Sequence, residues 1–292
     1  MSVEETEEFF KMSDGFNLFY RRWKPVEKTE RTIVCIHGLG GHSGCFRSIG
    51  RSLAGGGIEV CGLDLRGFGN SKEQNLPRGD TKDFKRHLQD IDEAVILTRN
   101  RSHNKLYMLG HSLGGLYALW YGAKYSASLD GLILAAPAIE VKSKIGQEDR
   151  IKFPFLLANA PETMLDSKKA SLQNVDESGN GKIQSQIALR TTSFSVRYFA
   201  GLGAALMGNN AFLNAANVKK PTLILQGEAD EKALPIGAKR LFEYVVAEDK
   251  SLKMIPGADH MLHNAISFAA PKDVLEKKEH VLSAIRDWLE MH

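Results

Sequence analysis

A serine with glycines two residues away on both sides, set between a strand-like and a helix-like run, constrains this chain more than any other feature. The hexapeptide is Gly110-His111-Ser112-Leu113-Gly114-Gly115. Before it, Lys105-Leu106-Tyr107-Met108-Leu109 has the apolar character of a buried strand. After it, Leu116-Tyr117-Ala118-Leu119-Trp120-Tyr121 has helical spacing. So tight a turn forces the serine backbone into a strained conformation, and Gly110 and Gly114 lack the Cβ atoms that would collide there. An elbow of this kind lifts the hydroxyl clear of the sheet edge, where a base and a carbonyl carbon can reach it. Ser112 is the candidate nucleophile.

The surrounding pattern is an alternation of strands and helices. Phe9-Phe10-Lys11-Met12 and Phe16-Asn17-Leu18-Phe19-Tyr20 flank Ser13-Asp14-Gly15 and predict a β-hairpin, with Asp-Gly supplying the positive φ of the turn. Thr32-Ile33-Val34-Cys35-Ile36 is apolar on both faces, which suits a parallel strand covered on both sides. Similar runs recur at residues 58–63, 106–109, 132–135, 222–225 and 252–255. Between them lie helical stripes, of which Phe84, Leu88, Ile91 and Val95 form the clearest. Phe46, Ile49 and Leu53 share another face, and Gly55-Gly56-Gly57 ends that helix. The expected fold class is α/β, a mostly parallel doubly wound sheet. Between Pro137 and Pro221 no clean strand appears. That stretch is too long for an ordinary connection and predicts a helical insertion, or cap, at residues 140–218 within a core of 1–139 and 219–292.

Composition excludes more than it proposes. A formal charge of +3 over 292 residues, with no dense Lys/Arg stripe, gives no reason to invoke nucleic acid. No apolar stretch approaches the roughly 20 residues that span a bilayer. The acidic start, Met1-Ser2-Val3-Glu4-Glu5, lacks the apolar region of a secretory signal. A cytoplasmic protein, at most peripheral to a membrane, is expected. The three cysteines, Cys35, Cys45 and Cys61, show no zinc spacing and suit a reducing compartment.

A serine hydroxyl needs a base, and the base needs an orienting group. Both should follow later strands, in the chain order serine, acid, histidine. Asp230 ends Gln226-Gly227-Glu228-Ala229-Asp230, and His260 ends Gly257-Ala258-Asp259-His260. Both lie just past predicted strands, where open α/β sheets hold their ligands. His263 is the alternative base, and Glu228 and Glu231 are alternative acids. His87, His103 and His280 read as surface or helix residues. Oxyanion stabilisation needs two preorganised N–H donors, assigned to Leu113 and to Leu39 in the loop His37-Gly38-Leu39-Gly40-Gly41-His42. Candidate substrate contacts are Gly38, His111, Phe155 and Tyr198, with His111 expected chiefly to pack. Asp64 and Arg66, in Asp64-Leu65-Arg66-Gly67, are expected to pair and brace the elbow. Asp176-Glu177-Ser178-Gly179-Asn180-Gly181 echoes the start of a calcium loop, but Ile187 stands where the bidentate acid belongs, so no metal site is expected.

Taken together, H-G-L-G-G-H-S-G (37–44), D-L-R-G-F-G-N-S (64–71), G-H-S-L-G-G (110–115), A-A-P-A (135–138), Q-G-E-A-D (226–230) and G-A-D-H (257–260) resemble the α/β-hydrolase superfamily. Within it the chain resembles the monoacylglycerol lipase, lysophospholipase and carboxylesterase group. The resemblance implies an eight-stranded sheet with a cap, and serine hydrolysis of an acyl ester through an acyl-enzyme with no cofactor. It maps the triad onto Ser112, Asp230 and His260. A small acyl ester is the implied partner, with a lipid surface met through the cap. A short-chain carboxylesterase, an acyltransferase or a non-catalytic ligand-binding protein is the alternative.

Overall fold

The computed structural model describes residues 2–142, 147–166, 188–262 and 272–292. Eight strands form one sheet: β1 (Val3–Lys11), β2 (Asn17–Pro25), β3 (Arg31–Ile36), β4 (Glu59–Leu63), β5 (Lys105–His111), β6 (Gly131–Ala135), β9 (Thr222–Gly227) and β10 (Lys250–Ile255). Their spatial order is β1-β2-β4-β3-β5-β6-β9-β10. β1 pairs antiparallel with β2, and β2 with β4, while every other pairing is parallel. All eight sequence-predicted strands are present. The hairpin is longer than its apolar residues suggest, because Glu5 and Glu7 of β1 both pair with the buried Arg21 of β2.

Alternating strand residues feed two cores, one on each face. Val34 and Ile36 of β3 join the core formed with α2 (Arg86–Arg101), α3 (Leu113–Lys124) and α7 (Pro235–Tyr244). Ile33 and Cys35 of the same strand join the core formed with α1 (Arg47–Gly55) and α8 (Lys272–Met291), where Leu53, Ile285 and Trp288 are buried. Burying each such side chain contributes about 1.5–3 kcal/mol. This two-sided coverage explains why residues 33–36 of β3 and 132–135 of β6 read as unbroken apolar runs. Cys35 and Cys61 are buried thiols, as expected, and burial pushes both pKa values up.

Residues between β6 and β9 carry α4 (Gln147–Asn159), β7 (Met164–Asp166), β8 (Ser193–Ser195), α5 (Val196–Gly208) and α6 (Ala211–Ala215). The sequence predicts no strand there, yet β7 and β8 form a short antiparallel pair. Three residues per strand carry too little alternation to read. His263 and the calcium-like segment beginning at Asp176 lie outside the described residues.

Candidate active site

Ser112 sits between β5 and α3 at φ 56° and ψ −117°, a left-handed conformation that costs a non-glycine residue roughly 1–3 kcal/mol. Its neighbours permit the turn. A Cβ on Gly110 would fall 2.1 Å from the Gly114 carbonyl oxygen, and one on Gly114 would fall 2.1 Å from that of Ile36. The Ser112 N–H donates to Ala135 O of β6 at 3.0 Å, which ties the elbow to the sheet. The hydroxyl is left partly exposed.

Two later strand ends deliver partners to that hydroxyl. Past β10, His260 places Nε2 2.9 Å from Ser112 Oγ. Past β9, Asp230 accepts from His260 Nδ1–H at 2.8 Å through Oδ2. Asp230 is itself held from three sides. Oδ1 accepts from the N–H groups of Lys232 and Ala233 at 2.8 and 2.9 Å, and Oδ2 accepts from Gln226 Nε2 at 3.0 Å. Burial alone would raise this carboxyl's pKa. The hydrogen bond and charge of His260, with the Lys232 N–H and the Gln226 amide, outweigh it and hold the pKa below the ordinary carboxylate value. The group is therefore ionised at neutral pH, oriented at one imidazole nitrogen while the other faces the serine. Such a chain can take a proton from a hydroxyl and return it.

The alternatives to Asp230 separate by burial. Glu228 and Glu231 are exposed, and Asp259 is exposed and accepts from the Met261 N–H. His111 does pack: its Nε2–H donates to the His260 carbonyl at 2.9 Å and so fixes the backbone of the imidazole it lies beside. Gly38 lies against the serine, since a Cβ there would fall 3.0 Å from that of Ser112. Among the described residues, neither the Leu39 N–H nor the Leu113 N–H has an acceptor within the protein. The amide that follows Ser112 and the amide that follows Gly38 are thus unspent.

Two expectations differ from the structure. Tyr198 is no exposed wall of a binding site. It is 1% exposed, packed among Phe68, Phe84, His87 and Phe194, because α5 turns its first residues into the core rather than outward. Phe155 is the reverse, 68% exposed on α4. Asp64 and Arg66 brace the site's loops without pairing to each other. Asp64 accepts from the Ser43 and Asn70 N–H groups, whereas Arg66 forms a two-pronged bond to Asp90 and reaches Asp14. His87 is a helix residue, as expected, but fully buried, bonded to Tyr117 Oη and Arg66 O. Sequence reasoning assigned no role to Gln226, although a glutamine ending an apolar strand is itself a signal that a polar partner is buried nearby.

These motifs belong to a known class. Residues 27–266 match the family model described as serine aminopeptidase, S33 (Hydrolase_4), and the chain belongs to that family of α/β-hydrolases. It is similar to the monoacylglycerol lipase of Mycolicibacterium smegmatis, at 25% identity over 100% of this chain and 99% of that protein. It is also similar to the monoglyceride lipase of Homo sapiens, at 29% identity over 87% of this chain and 83% of that one. Among solved structures, a soluble variant of the Saccharomyces cerevisiae monoglyceride lipase in complex with a substrate analogue shares the fold. Its TM-score is 0.74, at 24% identity over 100% of this chain and 97% of that chain.

Proposed function

We propose that this carboxylic ester hydrolase cleaves monoacylglycerols or similar lipid esters through an acyl-enzyme on Ser112. His260 takes the hydroxyl proton as Ser112 attacks the ester carbonyl, and Asp230 holds the imidazole tautomer and steadies the imidazolium. The oxyanion of the tetrahedral intermediate is received by the N–H groups of Leu39 and Leu113, each worth about 3 kcal/mol. The imidazolium then protonates the leaving alcohol, and water, activated by the same imidazole, releases the acid. The observation that carries this reading is the continuous chain from Ser112 Oγ through His260 to Asp230, at 2.9 and 2.8 Å.

Residues 140–218 act as the cap in this reading. Phe155, Leu157, Leu206, Met207 and Leu213 stand exposed on its helices and offer apolar area to an acyl chain or a lipid surface. No described helix is long and apolar enough to cross a membrane. The free cysteines suit a reducing compartment, and in this reading the enzyme is cytoplasmic, with contact at the lipid surface. A panel of monoacylglycerols of graded chain length, with p-nitrophenyl esters from acetate to laurate, tests the assignment. An aminoacyl anilide belongs in the panel because the family's description names a peptidase. Each buried CH₂ contributes about 0.8 kcal/mol, so kcat/KM should climb with chain length until the site is full. A steady fall from acetate to laurate would return the enzyme to short soluble esters.

A further inference from the structure

The amide of Leu39 can serve an oxyanion only if its direction is fixed before substrate arrives. It belongs to the peptide unit that also carries the Gly38 carbonyl. That unit is trans and planar, so carbonyl and N–H point in opposite directions, and whatever holds the one aims the other. Two donors hold the Gly38 carbonyl. The Gly41 N–H closes the turn onto it at 3.0 Å, and His37 Nδ1 lies 2.8 Å from it.

The His37 ring has no choice of tautomer. On its far side Nε2 lies 3.0 Å from the backbone N–H of Leu65, just past β4, a group that only donates. Nε2 must accept, so the neutral ring carries its proton on Nδ1, directed at Gly38 O. The ring is 1% exposed, with Phe68 edge-on at 5.5 Å. Burial holds its pKa down to about 4, against the smaller upward pull of the Gly38 carbonyl, so the neutral form prevails at neutral pH.

We propose that His37 is a positioning residue of the oxyanion site: held in the Nδ1–H tautomer by Leu65, it grips the Gly38 carbonyl and thereby aims the Leu39 N–H at the oxygen that becomes negative on acylation. This rests on the reading of Leu39 as an oxyanion donor. His37 moves no proton of the reaction and acts only through Gly38.

The test has two independent arms. Nitrogen-15 NMR of histidine-labelled wild-type protein, with the His37 signals assigned by their loss in a variant, reads the tautomer directly. An Nδ1–H ring is expected, and an Nε2–H ring overturns the proposal whatever the activity. Kinetics supply the second arm. His37→Asn sets an amide donor near the position of Nδ1, whereas His37→Gln sets its carboxamide near that of Nε2. His37→Gln should lose about 10- to 100-fold in kcat, part of the 100- to 1000-fold that loss of a whole oxyanion donor costs. KM should stay within about threefold, and His37→Asn should recover most of the lost kcat. Equal losses in two folded variants, or no loss in either, would overturn the positioning role. Wild-type protein that reacts with a fluorophosphonate yet cleaves no ester in the panel would remove the ester reading, while the ring spectrum still decides the tautomer. If a variant does not fold, that spectrum stands alone as the deciding measurement.

Discussion

The strand-end loops around Ser112 and the proposed cap, residues 140–218, differ in what their described side chains face. The groups around Ser112 are held by hydrogen bonds: Asp230 by two backbone N–H donors and the Gln226 amide, the His260 carbonyl by the His111 ring, and the Ser112 N–H by Ala135. Among its described residues this segment is fastened at several places, through Trp120 Nε1 on Asn209 O, the buried Ala215 and Val218, and the stretch from Thr191 to Arg197. The Thr191 N–H donates to Gly40 O at 3.1 Å and the Ser195 N–H to Gly79 O at 3.0 Å, while the buried Asp80 accepts from Ser195 Oγ and from Arg197. Two of its helices also present apolar side chains to solvent, with Met207 83% and Leu213 70% exposed. Proton relays need sub-ångström placement, which only a rigid scaffold supplies. Recognition of an acyl chain needs area, which exposed leucine and methionine side chains supply without fixed direction.

Substitutions in the rigid region should give the largest effects. Ser112→Ala should remove turnover by a factor of about 10⁵–10⁶ while the unfolding midpoint hardly moves, because alanine keeps the Cβ and with it the same backbone strain, and only the hydroxyl of a partly exposed residue is lost. His260→Ala should be nearly as severe. Pre-steady-state acylation by a fluorophosphonate checks both, and substantial labelling of Ser112→Ala would move the nucleophile elsewhere. Asp230→Asn should lower kcat by about 10⁴ with little change in KM, since the amide keeps the shape but favours the wrong imidazole tautomer.

This contrast also decides what was legible in the sequence. Ser112, Asp230 and His260 could be read because each occupies a turn immediately after an apolar strand, and residues 222–225 and 252–255 announce those strands by composition. The β7–β8 pair could not be read, because three residues per strand are too few to show a period. Tyr198 and Phe155 both looked like binding-site aromatics. Which one turns inward is settled by Gly201, where a Cβ would fall 2.4 Å from that of Phe84, so this side of α5 lies tight against the core. That approach is tertiary and leaves no local trace. His87 misled for a related reason: it sits on the apolar stripe of Phe84 and Ile91, yet its polar partners, Tyr117 and the Arg66 carbonyl, lie far away in sequence.

Acid should act on the rigid region first. Burial depresses the pKa of both His37 and His87 to about 4, with their carbonyl partners opposing it more weakly. The unfolded chain takes up these protons near pH 6.5, and the native state refuses them until about pH 4. Stability from these groups is therefore complete above about pH 6.5 and lost as the pH falls towards 4. Between pH 7 and 5 the loss should be about 2 kcal/mol for each ring. Denaturant titrations across that range measure it, and His87→Gln should remove roughly half of this contribution. An unchanged pH slope in that variant would show that His87 takes up its proton as readily in the folded as in the unfolded chain. The insertion's anchor should matter next. Asp80→Ala leaves Ser195 Oγ and the Arg197 guanidinium without their carboxylate, and should cost about 2–3 kcal/mol. That is below the full cost of breaking a deeply buried pair, because the Arg197 side chain remains 27% exposed.

The smallest effect belongs to the exposed face of the insertion, and its selectivity matters more than its size. Phe155 projects from α4 with two-thirds of its surface in water, so replacing it by serine removes no packing that the fold depends on. Phe155→Ser should leave the unfolding midpoint within about 0.5 kcal/mol and kcat/KM for p-nitrophenyl acetate unchanged. Against a monoacylglycerol presented in vesicles, the same variant should lose several-fold, because burying a phenyl ring in an apolar phase contributes about 1.5–3 kcal/mol at most and a surface site realises only part of it. Assaying both substrates on one preparation separates the two regions cleanly. Equal losses on the soluble and the vesicle ester would mean that Phe155 acts through the strand-end loops, and that the division between a rigid catalytic edge and an apolar recognition surface does not hold at α4.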